Sequence, residues 1–139
     1  MSAELGMIHV DLPSKEVRLT QAGVYYVSLE NPQLDGDGDS TDATTPEERA
    51  FLLTHIKANL KEDWAFCTDV LKSISDGWNG SETLEAAMTE KHPNLGANTL
   101  RTNTGGALGR LGDLRLIERS WTRRKVTYLL TQAGLDEVT

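Results

Sequence analysis

The stretch "ALGRLGDLRLIERSWTRRKVTYLLTQAG", residues 107–134, changes its periodicity twice. Up to Leu114 its apolar residues recur at helical spacing, with Leu108 and Leu111 three apart. "RLIERSW" then alternates apolar and polar residues, "TRRK" is a charged turn, and "VTYLLT" alternates again. The three together read as a β-hairpin with a basic tip. Thr131 caps a short closing helix that begins "QAG".

Upstream, the helix entering this hairpin begins near Asn98, in "NTLRTNTGGALGRLGDL". Leu100, Thr104, Leu108 and Leu111 share one of its faces and are expected to point inward. Three more helices precede it. "TPEERAFLLTHIKANL" opens with Thr45 as N-cap, Pro46 at the first helical position and Glu48 closing a capping box. "EDWAFCTDVLKSISDG" carries the stripe Trp64, Cys67, Val70, Leu71 and Ile74 and ends at Gly77. "SETLEAAMTEKH" starts with Ser81 as N-cap and stops before Pro93.

The pentapeptide "LTQAG" occurs at Leu130–Gly134 and also at Leu19–Gly23. Around the first copy, "MIHVD", "LPSK", "EVRLT" and "QAGVYYVSLEN" again spell strand, turn, strand, helix. Two readings stand. One is a good strand-to-helix junction used twice; the other is a degenerate repeat, the remnant or half of a second domain of the same kind. A lone hairpin is marginal in water, so the apolar residues of 1–33 need cover. That cover comes either from the rest of the chain or from a second chain, as a homodimer through the N-terminal segment.

Between the copies lies "QLDGDGDSTDATT", residues 33–45, acidic, glycine-rich and almost without apolar side chains. It reads as a flexible linker over 34–45. The expected division is therefore a hairpin and helix over 1–33, the linker, and one domain over 46–139. The spacing Asp35-x-Asp37-x-Asp39 resembles a calcium loop only superficially. Ser40 and Pro46 stand where such a loop needs glycine and glutamate.

At 139 residues the chain has room for one main core. Its single cysteine, Cys67, forms no internal disulfide, suits the cytoplasm, and reads as a small core residue. No apolar run is long enough to span a membrane, and the beginning lacks the pattern of a signal peptide. The net charge of −7 hides an asymmetry. Residues 98–128 hold seven basic and two acidic side chains, a local excess of +5, which leaves −12 for the remainder. Local charge decides what a surface attracts.

Helices, a two-stranded hairpin with a basic tip and a closing helix, with "ALGRLGDLRLIERS" followed by "VTYLLTQAG", resemble the winged helix-turn-helix superfamily over about residues 63–138. The resemblance implies a mainly α fold with a small antiparallel β wing, an α+β class. At one position, the turn after the recognition helix, that superfamily usually holds glycine where this chain has Arg115. The implied partner is double-stranded DNA, and the implied role a transcriptional regulator or DNA-handling factor. The helix near 98–113 would enter the major groove, offering Asn98, Thr99, Arg101, Thr102, Asn103 and Arg110. The wing near 119–126 would meet the backbone with Arg119, Trp121, Arg123, Arg124 and Lys125.

Gly105, Gly106, Gly109 and Gly112 lie in the same helix, at about 1 kcal/mol each against alanine. They imply close approach of a partner, a break at Gly105–Gly106, or tight packing between helices at Gly109 and Gly112. No acid, base and nucleophile share a motif, and no His/Cys spacing suits a metal, so the chain reads as a non-enzyme without cofactor or metal. The competing reading is a winged-helix module for protein–protein contact, a subunit or adaptor without nucleic acid.

Overall fold

The computed structural model describes residues 4–31 and 43–139. The described residues are mainly helical, with two small antiparallel sheets, an α+β architecture. In chain order they form β1 (Ile8–Asp11), β2 (Glu16–Leu19), α1 (Gln21–Val27), α2 (Pro46–Asn59), α3 (Lys61–Ser75), α4 (Ser81–Lys91), α5 (Ala97–Asp113), β3 (Ile117–Thr122), β4 (Lys125–Leu130) and α6 (Gln132–Asp136). No described helix is long and apolar enough to cross a membrane. The chain divides into two compact units, Met1–Leu60 and Lys61–Thr139.

That boundary differs from the expected one, because α2 belongs to the N-terminal unit. Phe51 of α2 packs its ring on Tyr25 and Tyr26 of α1, with centroids 5.0 and 5.9 Å apart. His55 stacks on Phe51 and donates through Nε2 to the Leu5 carbonyl. The capping box of Thr45 and Glu48 forms as the sequence requires, with Pro46 in the first turn. Glu48 does more than cap. It is buried, accepts the Thr45 N–H at 2.7 Å, and takes the Asn31 side-chain amide on both oxygens at 2.9 and 3.0 Å. Burial and the neighbouring Glu48 carboxylate raise the Tyr26 hydroxyl above its ordinary pKa. Asn31 also donates to the Ala43 carbonyl, so the two sides of the expected linker meet within one unit. Positions 34–42 of that linker, with the Asp35–Asp39 spacing, lie outside the described residues.

In the C-terminal unit α3, α4 and α5 pack on one another, β3 lies on α5, and β4 on α3 and α4. Val70, Leu71, Leu84, Met88, Leu100, Leu111 and Leu116 are fully buried there. Cys67 joins them, and burial pushes its thiol up to about 11, a protonated and unreactive group at neutral pH. The Asn79 carbonyl accepts the Tyr128 N–H at 2.8 Å, and Gly80 pairs with Thr127. The segment between α3 and α4 thus adds a short third rung beside β4. The N-cap of α4 is Gly80 where Ser81 was expected; the Thr83 hydroxyl closes the turn by accepting the Gly80 N–H.

Two helix ends share one hydrogen-bond pattern. After α3, Gly77 has φ 96° and Trp78 N–H reaches back to the Ser73 carbonyl. After α5, Arg115 takes φ 57° and Leu116 N–H reaches the Leu111 carbonyl at 2.9 Å. This is the cap for which glycine is usual, held here by an arginine. Leu111 and Leu116, both buried, supply the apolar contact that accompanies it.

The two LTQAG segments form the same junction. Thr20 and Thr131 each accept a backbone N–H, from Gly23 and Gly134, at 3.1 Å. Each hydroxyl also donates, Thr20 to the Gly6 carbonyl and Thr131 to the Arg115 carbonyl. Each threonine N–H donates to the carbonyl entering the hairpin, Met7 at 2.9 Å and Leu116 at 3.0 Å. A Cβ on Gly23 or Gly134 would stand 2.0 Å from that same carbonyl oxygen. Only glycine lets the helix start this close to the strand.

Candidate nucleic-acid interface

Helix α5 runs unbroken from Ala97 to Asp113, through Gly105 and Gly106. Leu100, Thr104, Ala107, Leu108 and Leu111 are its buried side, as the spacing predicts. Asn98, Thr99, Arg101, Thr102 and Asn103 are all exposed and crowd its first two turns. Its N-cap is Gly96. A Cβ on Gly105, Gly106, Gly109 or Gly112 would meet nothing within 4 Å. The expectation of glycine-dependent packing between helices at Gly109 and Gly112 therefore fails, as does a break at Gly105–Gly106. The glycines leave the solvent side of α5 low and open.

The arginines of α5 are engaged. Arg101 donates to the Glu85 carboxylate of α4 at 2.9 Å, and this contact raises its already high pKa. Both side chains are exposed, so the pair positions Arg101 more than it stabilises the fold. Arg110 behaves differently. It is mostly covered, donates to Asp63 at 3.3 Å, and reaches the Cys67 sulfur. The geometry turns Arg110 toward α3 and away from the Asn98–Asn103 group.

The β3–β4 hairpin pairs Ile117 with Leu130 through Thr122 with Lys125, which leaves a two-residue loop, Arg123–Arg124. Both loop residues have positive φ, 49° and 67°. Two-residue hairpin loops of this kind favour Asn-Gly, since each left-handed residue with a side chain costs about 1 kcal/mol. Arg119 and Trp121 project from one face of β3, opposite Tyr128 and Val126. Trp121 is 68% exposed. Arg119, Arg123, Arg124 and Lys125 are exposed and form no ion pair among the described residues. The hairpin end thus carries three unneutralised cations, Arg123, Arg124 and Lys125, with the exposed indole of Trp121 and the exposed Arg119 further back along β3.

No protein family, curated protein or solved structure matches this chain.

The sequence reading missed Glu85. Its partner lies sixteen residues away on another helix, and no local pattern marks such a pair. At Arg115 the usual glycine marked the turn, but nothing in the sequence reading signalled that Arg123 and Arg124 also occupy left-handed backbone, where arginine is uncommon.

Proposed function

We propose that the C-terminal unit is a winged helix-turn-helix domain that binds double-stranded DNA, as a transcriptional regulator or DNA-handling factor. The order α3, short edge rung, α4, α5, β3, β4 supports the fold reading. In this reading α5 is the recognition helix and the β3–β4 hairpin the wing. Asn98, Thr99, Arg101, Thr102 and Asn103 meet base edges and flanking phosphates, with arginine suited to guanine and asparagine to adenine. Glu85 holds Arg101 until DNA competes for its guanidinium. Arg119, Trp121, Arg123, Arg124 and Lys125 contact the backbone.

One observation carries the reading: two consecutive arginines occupy turn positions that folding alone would give to Asn-Gly. Backbone strain at a surface turn, with exposed charged side chains that form no ion pair among the described residues, makes sense when the side chains serve a ligand. The test separates folding from function in one variant. Changing Arg123 to Asn together with Arg124 to Gly relieves the turn and removes two charges. The domain should melt higher, by about 1–2 kcal/mol in stability. Fluorescence anisotropy should register weaker binding to every duplex, random or preferred. Unchanged affinity in the more stable variant would refute wing contact and favour a protein-contact module.

A further inference from the structure

We infer that Glu85 is a specificity-determining residue for the contact proposed above: it reserves Arg101 for the neutral edge of guanine and keeps it off the phosphates. The inference rests on the DNA reading and goes beyond it in giving a carboxylate of α4 a part in base choice. Arg101 is the one charged side chain in the first two turns of α5, among Asn98, Thr99, Thr102 and Asn103. Its Nη2 donates to Glu85 Oε1 at 2.9 Å, from one helix to the next. The Arg101 side chain is still 69% exposed, against 22% for Arg110, so it faces solvent while it is held. The reading end of α5 therefore carries no net side-chain charge once Glu85 is counted. Arg123, Arg124 and Lys125 of the hairpin end form no ion pair among the described residues. The unit keeps its free charge at the hairpin end and cancels it where bases would be read.

The chemistry of the guanidinium turns this pairing into a choice. Arginine has several N–H donors in a planar fork, and the Glu85 bond uses one of them. Guanine presents N7 and O6, two neutral acceptors that the remaining donors can take while Glu85 stays bound. A phosphate brings a full negative charge. Shared with Glu85 on one guanidinium, it sets two like charges side by side, and such juxtapositions are strongly unfavourable. Competition for Arg101 is therefore unequal: a phosphate has to displace Glu85, and a guanine edge does not. The pair also fixes a long side chain before DNA arrives, so less rotamer freedom is lost on binding. An exposed ion pair adds little to the stability of the fold, which leaves this pair free to serve recognition.

The experiment is selection of duplexes from a random-sequence pool by the full chain, by Glu85→Gln and by Arg101→Ala, followed by anisotropy on selected and random duplexes. Glu85→Gln keeps the shape and an acceptor oxygen and removes the charge. Both side chains reach solvent, so thermal melts of the variants should match the wild type. The wild type should prefer guanine about tenfold at one position, a preference that Arg101→Ala abolishes. Glu85→Gln should bind the random duplex about fivefold more tightly at 0.1 M salt, with a salt slope steeper by about 0.9, as Arg101 turns to a phosphate. Its guanine preference should shrink to about twofold. A general charge effect would tighten every duplex and leave that preference whole, so an unchanged preference in Glu85→Gln overturns the inference. Identical selected sequences from Arg101→Ala and the wild type also overturn it. If Arg123→Asn/Arg124→Gly still weakens binding in either case, the DNA reading stands and only the role of Glu85 falls. A wild type that binds no duplex refutes both.

Discussion

The hairpin–helix module of residues 5–27 and that of residues 114–138 share the backbone of their entry turn and strand-to-helix junction and differ in hairpin length and surface. Each begins with a buried leucine, Leu5 or Leu114, followed by a residue at positive φ, Gly6 or Arg115. Each continues with a buried Met7 or Leu116 whose carbonyl receives the threonine N–H. The shared hydrogen bonds account for the repeated pentapeptide: threonine caps, and glycine permits the 2.0 Å approach that a Cβ would forbid. What the junction does not dictate is where each hairpin points its chemistry. The C-terminal hairpin buries Ile117 and Tyr128 and carries Arg123, Arg124 and Lys125 at its far end, with exposed Arg119 and Trp121 along β3. The N-terminal hairpin leaves its apolar face open and turns through Leu12–Lys15 with one basic residue. One scaffold thus supplies a charged tip in one unit and an apolar face in the other.

The comparison breaks most sharply at its two glycines. Gly134→Ala should cost the C-terminal unit about 3 kcal/mol or more, since the carbonyl it strikes is backbone and cannot swing aside. Gly23→Ala should cost the N-terminal unit as much. Hydrogen exchange resolves the two: each variant should loosen its own unit first. If Gly23→Ala leaves residues 5–27 as protected as before, the two junctions are not equivalent.

A smaller effect sharpens it at the preceding turn. Gly6→Ala places a side chain at φ 68° with ample space, so it should cost about 1 kcal/mol of backbone strain alone. Arg115→Gly should move the other way and stabilise by up to about 1 kcal/mol, as thermal melts would register. Opposite signs at matched positions are the expected result; equal signs would mean that Arg115 side-chain contacts outweigh its strain.

Much of this was legible in the residues. The capping box at Thr45, the inward face of Leu100, Thr104, Leu108 and Leu111, and the caps at Thr20 and Thr131 all follow from local spacing. The unit boundary was not. The apolar side of α2 fits a neighbour on either side of it in the chain, and the deciding contacts join Phe51 to Tyr25 and Tyr26 across more than twenty residues. The candidate site was legible as a set of residue types and illegible as a set of partners. Arg101 and Arg110 look alike in sequence, yet one meets Glu85 in the open and the other is drawn in by Asp63 and Cys67. Such pairings depend on how helices pack, which spacing along one helix does not encode.

The central claim is that DNA contact belongs to the C-terminal hairpin and not to its N-terminal counterpart. The direct measurement is the salt dependence of binding to one random duplex, for the wild type and two turn variants. Each phosphate neutralised contributes about 0.9 to the slope of log affinity against log salt. Arg123→Asn/Arg124→Gly should flatten that slope by about 2. Lys15→Gly, which relieves a residue at φ 59° in the other hairpin, should leave it unchanged. A slope that flattens with Lys15→Gly and holds with the double variant would contradict the account.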